Sequence, residues 1–305
     1  MKSINRVYLS GLGAVGASYA FKLHEMDPCC LKIIADRQRI DKYSHNGIFI
    51  NGKPYAFNYI EPSQSAEPAD LILIAVKQHH LEQSIKDISK FVGKDTIILS
   101  LLNGIVSEEI VGKAFGMDKV LYSFCVGTDA TREGTSINFS KVGTIVFGDK
   151  SNTDYSANVS AVKELFDRAD IPYRIPLDML RELWWKFMMN VGINQVSAVL
   201  KAPYGVLVRV KEAEDLIRMA SREVVALSEK AGINLNESDI DDYFKILFNL
   251  SPDGKTSMLQ DVEAGRKTEV EIFSGTVIEL GRKYGVQTPV NDILYKMIRT
   301  LEQTY

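Results

Sequence analysis

A chain of 305 residues, 46% apolar and 25% charged, has the make-up of a globular protein long enough for two domains. Its formal net charge of −3 gives no basic face for nucleic acid or an anionic membrane. Cys29, Cys30 and Cys125, two of them adjacent, argue against a disulfide framework and for a reducing compartment. The four histidines, His24, His45, His79 and His80, make no spaced ligand set, so no metal is expected. The N-terminus runs into a strand-like segment rather than a signal peptide, and no apolar run reaches the roughly 18 residues that span a bilayer. A soluble, cytoplasmic protein with no nucleic-acid or membrane partner is the expectation.

In chain order, residues 5–10 read as a short buried strand, followed by G-L-G-A-V-G at 11–16. A helix comes next, with Ala17, Ala20 and Phe21 on one face and Lys22 and Glu25 on the other. Residues 31–35 predict a second strand, ended by Asp36 and Arg37. A hairpin is expected from 47–50 through the turn pair Asn51-Gly52 to 55–57. Residues 71–76 form a third buried strand, closed by Lys77. A helix with Leu81, Ile85, Ile88 and Val92 inward leads to a strand over 96–102, closed by Asn103-Gly104. This alternation predicts a parallel sheet with helices on both faces. Residues 122–147 read as short strands extending the edge of that sheet, with turns at 132–134 and 140–143. A helix near 156–169 and a strand at 172–175 complete the first half. From Asp178 onward the pattern is helical, broken at 203–205, 232–234, 251–254 and 287–289. The expectation is therefore an α/β domain over 1–176 and an all-α domain over 177–305.

Gly11, Gly13 and Gly16 have the G-x-G-x-x-G spacing between a strand and a helix. The first permits a tight turn, the second lets a pyrophosphate approach the backbone, and the third lets the helix pack closely. The helix N-terminus adds free amides and the positive end of its dipole. Asp36 lies twenty residues beyond Gly16, at the end of the next strand. That context is a Rossmann-type, doubly wound dinucleotide site, lined by Gly11, Leu12, Gly13, Ala14, Val15, Gly16, Asp36 and Arg37. An empty glycine turn, a flavin site and an S-adenosylmethionine site are the competing readings. Lys77 and Asn103 close the next two strands, on the edge where open α/β sheets bind ligands. Their alternatives are a solvated lysine opening a helix and plain Asn-Gly turn chemistry.

In the helical half, Lys186, Asn190 and Asn194 recur every four residues and share one face of a very apolar helix. That face either meets solvent or is buried and holds a polar substrate. Ser257 and Asp261 are four apart on another expected helix, with Glu269 two turns later.

Several motifs together resemble the ketopantoate reductase (2-dehydropantoate 2-reductase) family over essentially the whole chain. They are the glycine loop, A-V-K at 75–77, L-N-G at 102–104 and R-E-L-W-W-K at 181–186 with Asn190 and Asn194. S-M-L-Q-D at 257–261, T-E-V-E at 268–271, Gly275 and T-P-V-N at 288–291 complete the set. The resemblance implies reduction of 2-dehydropantoate to (R)-pantoate with NADPH, on the way to pantothenate and coenzyme A. It implies that Lys186 is the catalytic lysine and Glu269 the acidic active-site residue. Asn103, Asn190, Asn194 and Ser257 become substrate or nicotinamide contacts, and Lys77 a lysine of the cofactor groove. The chemistry is consistent with this. A lysine ammonium can stabilise the charge developing on a ketone oxygen and deliver its proton. Amides and hydroxyls can bind the substrate's carboxylate and hydroxyl, and a nearby glutamate favours the protonated lysine.

Two positions depart from the family. Tyr204 stands where asparagine often helps to hold the substrate, and Asp36, followed by Arg37 and Arg39, stands where arginine often reads the 2′-phosphate of NADP. NAD is thus an alternative cofactor. A D-2-hydroxyacid dehydrogenase for branched or aromatic 2-keto acids is the alternative function, and a non-catalytic dinucleotide sensor a third. The partner expected is a small 2-keto acid. The oligomeric state is not legible, a homodimer being the assembly allowed for.

Overall fold

The computed structural model describes residues 3–304. The chain divides into two compact units, one ending at Met179 and the other beginning at Leu180. The first contains β1 (Val7–Ser10), α1 (Ala14–Met26), β2 (Leu31–Ile34), α2 (Arg37–Asn46), β3 (Ile48–Ile50), β4 (Lys53–Tyr55) and β5 (Asn58–Ile60). It continues with β6 (Leu71–Ile74), α3 (Leu81–Ile88), β7 (Ile97–Ser100), α4 (Ser107–Phe115), β8 (Val120–Val126) and β9 (Thr131–Glu133). β10 (Ser136–Asn138), β11 (Thr144–Gly148), α5 (Ala157–Arg168) and β12 (Tyr173–Arg174) complete it.

The main sheet runs β12-β11-β8-β7-β6-β1-β2-β5. Its six strands from β5 to β8 are parallel, and in chain order they are arranged 3-2-1-4-5-6, the order of a dinucleotide-binding sheet. The strands are apolar without alternation because both faces are covered. Val7, Leu9, Leu71 and Leu73 face one cluster with Ala17, Ala20 and Leu23 of α1 and Val162 and Phe166 of α5. Tyr8, Ile72, Ile74 and Ile98 face the other, with Leu81 and Ile88 of α3 and Val111 of α4.

Residues 122–147 do only part of what their pattern suggests. β8 and β11 extend the main sheet, and β11 is antiparallel to β8. β9 and β10 leave it and join β3 and β4 in a separate four-stranded sheet, ordered β4-β3-β10-β9. Single-sequence periodicity could not distinguish two edges that accept the same short strands. The hairpin turn is as expected, with positive φ at both Asn51 (49°) and Gly52 (78°) as a tight β3–β4 turn requires. Its return strand is Lys53–Tyr55 rather than 55–57.

The second unit is helical. It comprises α6 (Met179–Leu200), α7 (Tyr204–Arg209), α8 (Lys211–Lys230), α9 (Glu237–Phe248), α10 (Ser257–Glu263), α11 (Ser274–Tyr284) and α12 (Pro289–Leu301). Among the described residues, no helix is long and apolar enough to cross a membrane.

Candidate active site

The strand register positions the candidate residues of the first unit. Ser10 lies opposite both Ile34 and Ile74, and Ile74 opposite Ser100. The segments leaving β1, β2, β6 and β7 therefore emerge side by side on the carboxyl edge, where β1 and β6 diverge in chain order. Gly11–Gly16, Asp36, Lys77 and Asn103 all stand there.

The three glycines of the loop have different reasons. Gly11 has φ +103°, and a Cβ there would lie 2.6 Å from the Ala75 carbonyl oxygen. A Cβ on Gly16 would collide with the carbonyl oxygen of Gly11. These two let α1 pack against the sheet. Gly13 has φ −79° at the N-cap of α1, and a Cβ there would meet nothing within 4 Å. Neither strain nor packing within the chain requires glycine at that point. What a side chain would fill is the space in front of the first amides of α1, which lack intrahelical acceptors. A dinucleotide's diphosphate fits that cradle.

Asp36 also has a structural task. Its carboxylate caps α2, accepting from the Arg39 amide at 2.8 Å, with the Arg39 guanidinium 3.5 Å away. Arg37 pairs with Asp41 at 3.0 Å and Glu61 at 3.6 Å. Lys77 is half-buried and precedes a short turn at Gln78–His80. Asn103 is half-buried before Gly104, whose φ is +89°.

A further residue reaches the loop from elsewhere in the first unit. Arg132, on β9, donates through Nη1 to the Leu12 carbonyl and through Nε to the Gly134 carbonyl at 2.9 Å. Its guanidinium sits 5.6 Å from the centroid of the Tyr43 ring. Nothing in the local sequence signals this, because the contact depends on β9 belonging to the small sheet.

In the second unit, α6 carries Lys186, Asn190 and Asn194. Lys186 and Asn194 are 7% and 6% exposed, Asn190 is half-buried, and Asn194 Nδ2 donates to Asn190 Oδ1 at 3.4 Å. This face is thus not a solvated stripe. Just behind it, Gln195 donates to Val191 O at 2.8 Å and Asn291 Oδ1 at 3.2 Å and accepts from the Ser274 amide at 3.2 Å. Asn291 in turn donates to Glu223 at 2.7 Å and accepts from Ser274 Oγ at 2.9 Å. Glu223 also accepts from the amides of Val290 and Asn291 at 2.8 and 3.0 Å, closing the N-terminus of α12. The network ties α6 to α8, α11 and α12, and it accounts for the asparagine of T-P-V-N.

Glu269 is 8% exposed, but not on the helix of Ser257 and Asp261. α10 ends at Glu263, and Glu269 opens a short turn before α11. Thr268 anchors that segment, its amide and hydroxyl donating to Glu302 at 2.8 and 2.6 Å. Ser257 is exposed at the first turn of α10, next to the capping Thr256. Asp261 is buried and pairs with Arg266 at 2.9 Å. Tyr204 packs on the turn before α10. Its amide donates to Gly254 O at 2.9 Å, and a Cβ on Gly254 would lie 2.8 Å from its ring. Burial raises its phenol's pKa above the ordinary value. Tyr204 joins the apolar cluster of Trp185, Met189 and Tyr243.

Family models match both parts of the chain: Ketopantoate reductase PanE/ApbA over residues 7–152, and its C-terminal counterpart over 178–302. The chain belongs to the ketopantoate reductase family. It is accordingly an oxidoreductase, and the dinucleotide that its family binds carries nicotinamide. A 2-dehydropantoate 2-reductase of Aquifex aeolicus is 26% identical, the match covering 98% of this chain and 97% of the relative. One from Streptococcus pyogenes is 24% identical, with 97% of each covered. Among solved structures, the dimeric ketopantoate reductase of Staphylococcus aureus superposes with a TM-score of 0.83 at 20% identity, covering 98% of this chain and 99% of that one. D-mandelate dehydrogenase with NADH gives 0.88 at 20% identity, with the same coverage. Both share the ketopantoate reductase fold seen here.

Proposed function

We propose that this enzyme reduces 2-dehydropantoate to (R)-pantoate with NADPH, residues 1–176 holding the cofactor and 177–305 supplying substrate binding and catalysis. The observation that carries the reading is the burial of Lys186 on a face shared with Asn190 and Asn194, inside an otherwise apolar helix. When bound, NADPH would supply the hydride for the ketone carbon. Lys186 Nζ stabilises the negative charge developing on the ketone oxygen and passes it a proton, leaving a hydroxyl and a neutral amine. Asn190, Asn194, Asn103 and Ser257 bind the substrate's carboxylate and hydroxyl, and Glu269 orients the hydroxyl end. Gly11, Leu12, Gly13, Ala14, Val15 and Gly16 cradle the diphosphate, with Asp36, Arg37, Lys77 and Asn103 along the same edge. The capping bond of Asp36 and the nearby Arg39 guanidinium offset its repulsion of a 2′-phosphate, which supports NADPH. A cytoplasmic homodimer belongs to the same reading, the Staphylococcus aureus relative being dimeric.

Tyr204 favours a second reading, a D-2-hydroxyacid dehydrogenase for branched or aromatic 2-keto acids with NADH. Its ring adds an apolar surface where an asparagine often stands in the family, and the mandelate dehydrogenase structure contains NADH. A panel of 2-keto acids, followed by nicotinamide absorbance with each cofactor, tests both. The highest kcat/KM is expected for 2-dehydropantoate with NADPH. A clear preference for an aromatic acid with NADH would replace the first reading by the second.

A further inference from the structure

Three arginines lie near the carboxyl edge of the main sheet, and they differ in what balances their charge. Arg37 is paired with Asp41 and Glu61, and Arg39 with Asp36. Arg132 instead meets two carbonyl oxygens, of Leu12 and Gly134, and the face of Tyr43. Among the described residues, no carboxylate forms a salt bridge with it. A guanidinium has five N–H donors, and these bonds use two of them.

The position is also unusual for a cation. Leu12 stands between Gly11 and Gly13, beside the open space in front of α1. The first amides of α1 already bring partial positive charge there. A half-buried cation beside that helix end is unfavourable by itself, and an anion between the two makes both favourable. The forked guanidinium matches phosphate oxygens. The ribose end of the groove, beyond β2, is by contrast lined by Asp36 and by arginines already paired.

We propose that Arg132 is a cofactor-binding residue that clamps the diphosphate of the nicotinamide dinucleotide from the side opposite the amides of α1. This rests on the dinucleotide reading of the glycine loop and deepens it: the small sheet, through β9, supplies a side-chain cation to a site otherwise made of backbone.

The test is equilibrium titration of the purified enzyme with NADPH and with NADH, read by nicotinamide fluorescence, for wild type, Arg132→Ala and Arg132→Gln. Arg132→Gln keeps a donor for the Leu12 carbonyl while removing the charge, and it serves if the alanine variant does not fold. Kd should rise about 10–100-fold for both dinucleotides and by a similar factor, as for loss of a charge-assisted bond. The thermal midpoint of the ligand-free protein should stay near that of wild type. Unchanged Kd in a folded variant would overturn the proposal. A loss confined to NADPH would also overturn it, by placing Arg132 at the 2′-phosphate. Because binding is read without turnover, a wild-type enzyme that binds both dinucleotides but reduces no 2-dehydropantoate would end the function proposed above and leave this one standing.

Discussion

The glycine loop of the first unit and the polar network of the second are built on opposite principles. The loop is made by removing side chains: Gly11 and Gly16 clear a path for Ala75 and for the chain itself, and at Gly13 a Cβ would meet nothing within 4 Å. Its donors are backbone amides, fixed as soon as the β1–α1 turn forms. The network is made by adding side chains. Gln195, Glu223, Ser274 and Asn291 come from four helices and satisfy one another only when all four are packed. A change in the loop should therefore act first on ligand binding, and a change in the network first on stability.

The largest effect expected separates the glycines themselves. Gly16→Ala forces backbone apart, so we expect dinucleotide Kd to rise by at least about a hundredfold, with about 3 kcal/mol lost from unfolding free energy. Gly13→Ala should leave the urea midpoint unchanged and raise Kd about tenfold, or about 1.4 kcal/mol. A Gly13→Ala variant that binds both dinucleotides like wild type would mean that the open space is not the diphosphate site. Between these two glycine variants in size is Asn291→Leu. It leaves Glu223, Gln195 and Ser274 short of partners in a buried place, so about 2–4 kcal/mol should be lost in urea unfolding, with dinucleotide Kd unchanged. A Kd that weakened in step with stability would show that the two regions are not independent in the way their construction suggests.

This contrast also explains what could be inferred from the sequence. The glycine loop was legible because its chemistry depends on spacing within six residues, between a strand and a helix. The doubly wound core was legible because parallel strands covered on both faces are continuous apolar runs, as at Leu71–Ile74. The small sheet was not, because its strands are three residues long and the partners of β10 lie as far back as β3. Arg132 sits on one of those strands, so its contact with Leu12 has no local signal. The Glu223–Asn291 contact joins positions 68 residues apart, and neither residue has a periodic signal. On α6 the spacing of Lys186, Asn190 and Asn194 was visible, but their burial was not, since every-fourth-residue spacing marks a face without saying what covers it. Asp36 shows the reverse case: an acid at the expected place for a ribose ligand also caps the next helix, and local spacing alone allows either role or both.

Lys186 is the proposed proton donor for reduction of a 2-keto acid. The most direct measurement is steady-state reduction of 2-dehydropantoate by wild type, Lys186→Ala and Lys186→Arg at saturating NADPH, with folding and dinucleotide Kd checked for each protein. Proton donation contributes about 10²–10⁴-fold to rate, so Lys186→Ala should lose at least about a hundredfold in kcat while its Kd for NADPH is unchanged. Lys186→Arg should not restore the rate, because guanidinium scarcely releases a proton. A folded Lys186→Ala enzyme that binds NADPH normally and keeps near-normal kcat would contradict the claim and remove Lys186 from the chemistry.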